Sequence, residues 1–203
     1  MPFFKLKDRS NPYLDDQDTR LMLDFQKGNA SSFEALLKKY FPLVQNFIYR
    51  YTANRSLAED LTQEAFLRVY KSAPTYRPKA LFKTWIYTIA RNISINEMKR
   101  KREVSLLDEP VTFEGEKIQR QIEDKKTEMQ DESLMRHETA EAVKKAVMEL
   151  PERQRVAIIL RRYEDFSYGD IAKTMRISEK AVKSLLNRAR ENLRDKLLDV
   201  MEM

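Results

Sequence analysis

The chain has no cysteine, one histidine and only three glycines in 203 residues. Without cysteine there is no disulfide, no thiol nucleophile, no redox motif and no thiolate zinc site. The lone histidine, His137, leaves little scope for imidazole acid/base or metal chemistry and reads as a polar residue near the start of a helix. So few glycines supply almost none of the positive-φ positions from which phosphate-cradling loops, tight hairpins and bulges are built, which argues against Rossmann, P-loop and meandering β folds. Long apolar runs are missing too. The longest, Val156 to Leu160, is far short of a membrane span, and the N-terminus lacks the apolar core of a signal peptide. The expectation is a cytoplasmic protein with no membrane insertion, no cofactor and no metal.

What is present is charge. Apolar residues make up 42% and charged residues 34%, enough to bury a core beneath a highly charged surface. Residues 1–102 carry 19 basic and 10 acidic side chains, residues 103–133 carry 4 and 10, and residues 134–203 carry 15 and 12. The net charge therefore changes sign twice, and the apolar pattern thins in the middle block. This predicts an acidic linker over 103–133 between an N-terminal domain at 18–102, preceded by a tail at 1–17, and a C-terminal domain at 134–203. Basic flanks suit a polyanionic partner and equally suit a merely basic soluble protein.

Helical periodicity runs through both blocks. Asp18 is placed to cap a short helix from Thr19 that stops at Gly28. Ser31 with Glu34 fits a capping box for a long helix bearing Phe33, Leu36, Leu37, Tyr40, Val44, Phe47, Ile48 and Tyr51 on one stripe, with a kink expected at Pro42. Ser56 with Glu59 fits a second box, opening a helix from Leu57 to about Lys71 whose inward positions are Leu57, Leu61, Ala65 and either Val69 or Tyr70. A further helix is expected from about Ala80 to Arg102, with Phe82, Trp85, Ile86, Ile89, Ile93 and Met98 as its stripe. Its terminal Lys99-Arg100-Lys101-Arg102 suits a helix C-terminus through the macrodipole. With Tyr76, Phe82, Trp85 and Tyr87 among Lys79, Lys83 and Arg91, it also fits a surface that stacks unpaired bases while holding their phosphates. Composition does not separate the two, since those aromatics also suit a core.

In the second block a helix from Leu134 to Glu149 turns Ala140, Val143, Val147 and Leu150 inward, and Pro151 opens the next at a first-turn position. Ser167 with Asp170 caps a short helix. After the turn Met175-Arg176-Ile177, Ser178 caps a longer one. Two helices joined in this way form a helix-turn-helix. On the second, Val182, Leu186, Ala189, Leu193 and Leu197 share one face, which leaves Lys180, Lys183, Ser184, Asn187 and Arg188 outward, where they could reach base edges and phosphates in a major groove.

Four strings in order then resemble one family, the bacterial RNA polymerase sigma factors, and in particular their small extracytoplasmic-function (ECF) class. They are Asp60-Leu61-Thr62-Gln63-Glu64-Ala65-Phe66-Leu67-Arg68-Val69-Tyr70, Phe82 to Asn92, Leu150 to Arg155 with Phe166 to Ala172, and Ala181 to Arg190. The likeness spans about Asp18 to Lys196 and implies an all-α fold of two small helical domains. It implies that Asp60, Gln63, Glu64, Phe66 and Tyr70 dock on core RNA polymerase. Tyr76, Lys79, Phe82, Lys83, Trp85, Arg91, Asn92, Lys99, Arg100 and Arg102 would capture and help melt the minus-ten element of promoter DNA, and Lys180, Lys183, Ser184, Asn187 and Arg188 would read the minus-thirty-five element. It also implies an anti-sigma factor as a partner and a linker threading the polymerase, which is weighed equally against a plain tether. Three departures stand out: Pro78-Lys79-Ala80 before Trp85, a turn without glycine at Met175-Arg176, and Leu185 where an arginine is frequent.

The resulting expectation is a dissociable initiation subunit that catalyses no reaction. The alternative is a stand-alone helix-turn-helix regulator, which would have no use for a docking helix coupled to a melting helix. A nuclease or phosphoesterase ranks last, because the carboxylates are dispersed rather than clustered as metal ligands.

Overall fold

A computed structural model describes residues 11–107 and 131–201, and among these every regular element is helical. The first bundle consists of α1 (Gln17–Gln26), α2 (Ala30–Thr52), α3 (Arg55–Ser72) and α4 (Phe82–Leu107), with 3-10 turns at Pro12–Asp15 and Ala73–Thr75. The second consists of α5 (Asp131–Met148), α6 (Glu152–Arg162), α7 (Tyr168–Met175) and α8 (Glu179–Met201). In the first, α2 lies at the centre against α1, α3 and α4; in the second, α8 packs on α5, α6 and α7.

The stripes fill the core as their periodicity requires. On α2, Leu36, Val44, Phe47 and Ile48 are fully buried, and each such side chain is worth about 1.5–3 kcal/mol when removed from water. Phe33 and Leu37 sit at the margin of that core, as do Trp85 and Ile89 on α4. On α3 the inward residue is Val69, and Tyr70 turns out to solvent. On α3 and α4, two buried hydroxyls bond to a carbonyl one turn back, Thr62 to Ala58 at 2.6 Å and Ser94 to Ala90 at 2.8 Å.

The helix starts differ from the sequence expectation in an instructive way. Asp16, not Asp18, caps α1, accepting from the Thr19 backbone at 2.8 Å and from its hydroxyl at 2.7 Å. Asp18 is instead buried inside the helix, where it holds Lys39 at 2.7 Å and Tyr40 at 2.6 Å and so ties α1 to α2. Neither capping box forms. Asn29 occupies the α2 N-cap without a side-chain cap bond, and Asn54 caps α3 through the Leu57 N–H at 2.8 Å. In both places an asparagine precedes the serine and starts the helix earlier. α2 runs on through Pro42. Pro151 is the N-cap of α6, one residue before its first turn. In the second bundle Ser167 and Ser178 cap as expected, through Asp170 N at 3.1 Å and Ala181 N at 3.2 Å.

Helix α4 continues five residues beyond Arg102 and α5 begins at Asp131, so both reach into the stretch expected as linker; its remainder lies outside the described residues, as do residues 1–10 of the tail. Ala140, expected inward, is exposed, and with Tyr49, Val143, Val147 and Tyr163 it lines an apolar cleft between α2 and α5. The two bundles are pressed together: α4 packs on α7, and α2 on α6 and α5.

Candidate nucleic-acid interface

Helix α8 carries the simplest surface. Val182, Leu186 and Ala189 are fully buried, and this orientation leaves Lys180, Lys183, Ser184, Asn187 and Arg188 all exposed on the opposite side. The turn leading into it places Arg176 in the left-handed region at φ +55, where glycine is the usual occupant. The chain closes the turn regardless, with the Ile177 N–H donating to Ala172 O at 3.0 Å. Leu185, at the position of the frequent arginine, is partly buried against the core and supplies no cation.

Helix α3 presents a mixed face. Asp60 and Gln63 are exposed, Tyr70 is 55% exposed, and Glu64 pairs with Arg68 one turn on. Phe66 is not on this face. It is 4% exposed and stacks on Phe41 with ring centroids 5.7 Å apart, so it shapes the helix from beneath rather than offering a contact. The residue that sequence reasoning missed is Leu67, 51% exposed, seven positions after Asp60 and so on the same face. Its spacing from Asp60 was the available signal. With Tyr70, Leu67 puts two exposed apolar side chains beside the polar groups of α3.

The loop between α3 and α4 has few backbone bonds of its own and is held from elsewhere. The Gln26 amide donates to the carbonyls of Ala73, Pro74 and Tyr76 at 2.8, 3.2 and 3.1 Å, and Asn11 donates to Pro78 O at 2.9 Å. At its end the Phe82 N–H meets the Thr19 hydroxyl at 3.2 Å. Tyr76, 6% exposed, lies against Trp85 at 4.7 Å, and burial pushes its phenol up to about 12. Phe82 is wholly buried, with its edge to Tyr40. Of the aromatics expected to stack on bases, Tyr76, Phe82 and the wholly buried Tyr87 therefore belong to the core. Partly exposed Trp85 lines a cleft of about 470 Å³ with Arg77, Lys79, Lys173 and Arg176.

Along α4, Lys99, Arg100 and Arg102 are exposed, with Arg100 paired to Glu97 at 2.8 Å. Lys83 and Arg91 are not free. Lys83 donates to the carbonyl of Glu164 at 2.5 Å and lies 4.7 Å from the Phe166 ring. Arg91 is half-buried with its Nε unpaired, and its pKa is lowered, first by desolvation and further by the neighbouring Arg153 and Arg176. One of its guanidinium nitrogens donates to Asn92 at 3.1 Å. Among the described residues there is no cluster of His, Cys, Asp or Glu that could hold a metal, and no helix is long and apolar enough to cross a membrane.

Comparison with known proteins matches these surfaces to a family. Residues 36–104 match the model of Sigma-70 region 2, and residues 140–193 that of Sigma-70, region 4. The RNA polymerase sigma-H factor of Pseudomonas aeruginosa is 32% identical over 188 residues, covering 90% of this chain and 94% of its own. The ECF sigma factor SigW of Bacillus subtilis is 28% identical, over 86% and 94%. Among solved structures, the sigma factor RpoE from Bartonella quintana, in complex with the anti-sigma factor NepR, superposes with a TM-score of 0.63 at 28% identity, covering 83% of this chain and 98% of that one. With an exposed helix-turn-helix face, two matching family models and relatives of this closeness, the chain belongs to the ECF class of RNA polymerase sigma factors, dissociable subunits that initiate transcription.

Proposed function

We propose a division of labour among three faces. The α3 face of Asp60, Gln63, Glu64, Leu67 and Tyr70 docks on core RNA polymerase, its polar and apolar mixture suiting a partner groove rimmed with cations. Trp85 and the loop before α4 capture an unpaired base of the minus-ten element while Lys79, Lys83, Arg91, Asn92 and the cations at 99–102 hold its phosphates. Unstacking a base costs a few kcal/mol, offset by stacking and pocket contacts. The exposed face of α8 reads the minus-thirty-five element. The chain then hydrolyses nothing and acts by binding alone. The likeness to a sigma factor solved with an anti-sigma factor supports such an inhibitor as a further partner. A stand-alone regulator is not favoured, because the matched relatives are polymerase sigma factors over nearly their whole length.

The observation that carries this reading is the exposure of all five expected reading residues on α8, on the side opposite a buried Val182-Leu186-Ala189 seam. The test is reconstituted transcription with core polymerase on a promoter panel. Asp60→Ala and Gln63→Ala should lose activity while keeping their helical circular dichroism. Full activity in both would remove α3 from the docking role.

A further inference from the structure

The apolar cleft between α2 and α5 belongs to none of the three proposed working faces. Its volume is about 560 Å³, within the range of small-molecule sites. Val147, 6% exposed, lies at its base, with Tyr49, Val143 and the exposed Tyr163 around it, and the small, exposed Ala53 and Ala140 leave its mouth clear. Past Tyr163, a second hollow of about 510 Å³ shares Val143, Val147 and Tyr163 and adds Ile158 and Leu193, with Asp165 the one carboxylate among three arginines. The two together form an elongated apolar track, the shape of an extended chain rather than of a compact ring.

Charge at the α2–α5 cleft has one sign. Arg50 and Lys144 line it, and no carboxylate does. Each cation is seated on one of the tyrosines, Arg50 4.4 Å from the Tyr163 ring centroid and Lys144 5.7 Å from that of Tyr49, so the aromatic faces hold both at the rim of the hollow. Their acidic partners stand outside it. Glu164 is 3.6 Å from Arg50, and Glu141 pairs with Lys144 at 3.3 Å in an exposed one-turn pair of a kind worth little in water. We propose that the cleft binds a small anionic amphiphile of the medium-chain fatty-acid class. The alkyl chain lies along Val143 and Val147 between the two tyrosines, and the carboxylate meets Lys144 and Arg50. Water gains little in such a place, because apolar walls offer it few hydrogen bonds. A neutral ligand leaves both cations unanswered, and a cationic one sets like charges together.

Calorimetric titration of the full chain with decanoate, kept below its micelle threshold, tests this. Saturable one-to-one binding is expected, with a negative heat-capacity change from apolar burial and a thermal unfolding midpoint that rises with ligand concentration. Decyltrimethylammonium, with the same chain and the opposite head, should bind more weakly by about ten-fold. Lys144→Glu should cost decanoate about ten-fold in affinity and leave decanol unchanged. Ala140→Trp, at an exposed position, should fill the mouth and abolish binding of decanoate and decanol alike. Absence of decanoate binding would overturn the proposal, and so would equal binding of the two charged amphiphiles or a decanoate affinity untouched by Ala140→Trp. Should a variant lose its helical circular dichroism, the comparison of head groups on the native chain still decides.

Discussion

Two helices of this protein carry cations expected to meet DNA, and they stand in opposite conditions. α8 shows every one of its five candidate residues to solvent, while α4 has Lys83 and Arg91 engaged or half-buried beneath the neighbouring bundle. The difference lies in the second layer of packing. α8 is amphipathic with one buried seam, so its polar side is free as soon as the bundle forms. α4 has one seam for its own bundle and a second, made of Thr84 and Tyr87, for α7 and the turn before it. The second seam is what takes Lys83 out of solvent.

This contrast can be broken or sharpened by measurement. The largest effect is expected on α8. Arg188→Ala should weaken discrimination between native and mutated upstream elements by about 1–3 kcal/mol in reconstituted transcription. Unchanged discrimination would take Arg188 off the reading face. A smaller effect is expected in the turn behind that face. Arg176→Gly should stabilise the protein by about 1 kcal/mol in denaturant unfolding, because glycine adopts the left-handed region without the steric penalty an arginine carries there. It also removes a cation that opposes the charge on Arg91. A loss of stability would show that the Arg176 side chain makes a compensating contact.

The smallest effect is a pH dependence on the α4 side. The Glu164 carboxyl, facing Tyr87 and Lys83 of α4, Arg50 of α2 and the adjacent Asp165, has its pKa raised, first by burial. A group whose pKa is higher in the folded than in the unfolded chain takes up a proton on folding. Its contribution to stability is full below the ordinary carboxylate range, about 4.3, and is lost as pH rises through the raised value. Stability in denaturant unfolding should therefore rise on acidification through that window, and Glu164→Gln should flatten the slope. A slope that survives in Glu164→Gln would assign the proton to another group.

The same contrast explains what was legible in the sequence. The apolar stripes of α2 and α8, the serine caps of α7 and α8 and the short-helix turn between them are local patterns, and residues three and four apart suffice to read them. The starts of α1, α2 and α3 were misread because Asp16, Asn29 and Asn54 compete for the cap with residues two positions later, and only the path of the chain decides between them. Phe66 and Tyr70 were grouped on a motif, yet a four-residue step along a helix with a broad apolar side puts one in the core and the other in water. The engagement of Lys83 with Glu164 joins residues 81 positions apart, and no periodicity carries that information.

The loop that precedes α4 owes its shape to side chains far back in the chain: Asn11 and Gln26 donate to its carbonyls, and the Thr19 hydroxyl accepts from the Phe82 N–H at its end. With three of its carbonyls tethered by a single amide, it behaves as a splinted segment rather than a free one, and its outline is set before any DNA arrives. On the proposed assignment of Trp85 and Lys79 to the minus-ten element, promoter preference is open to adjustment from α1, where substitutions at Thr19 or Gln26 would re-aim both side chains from a distance.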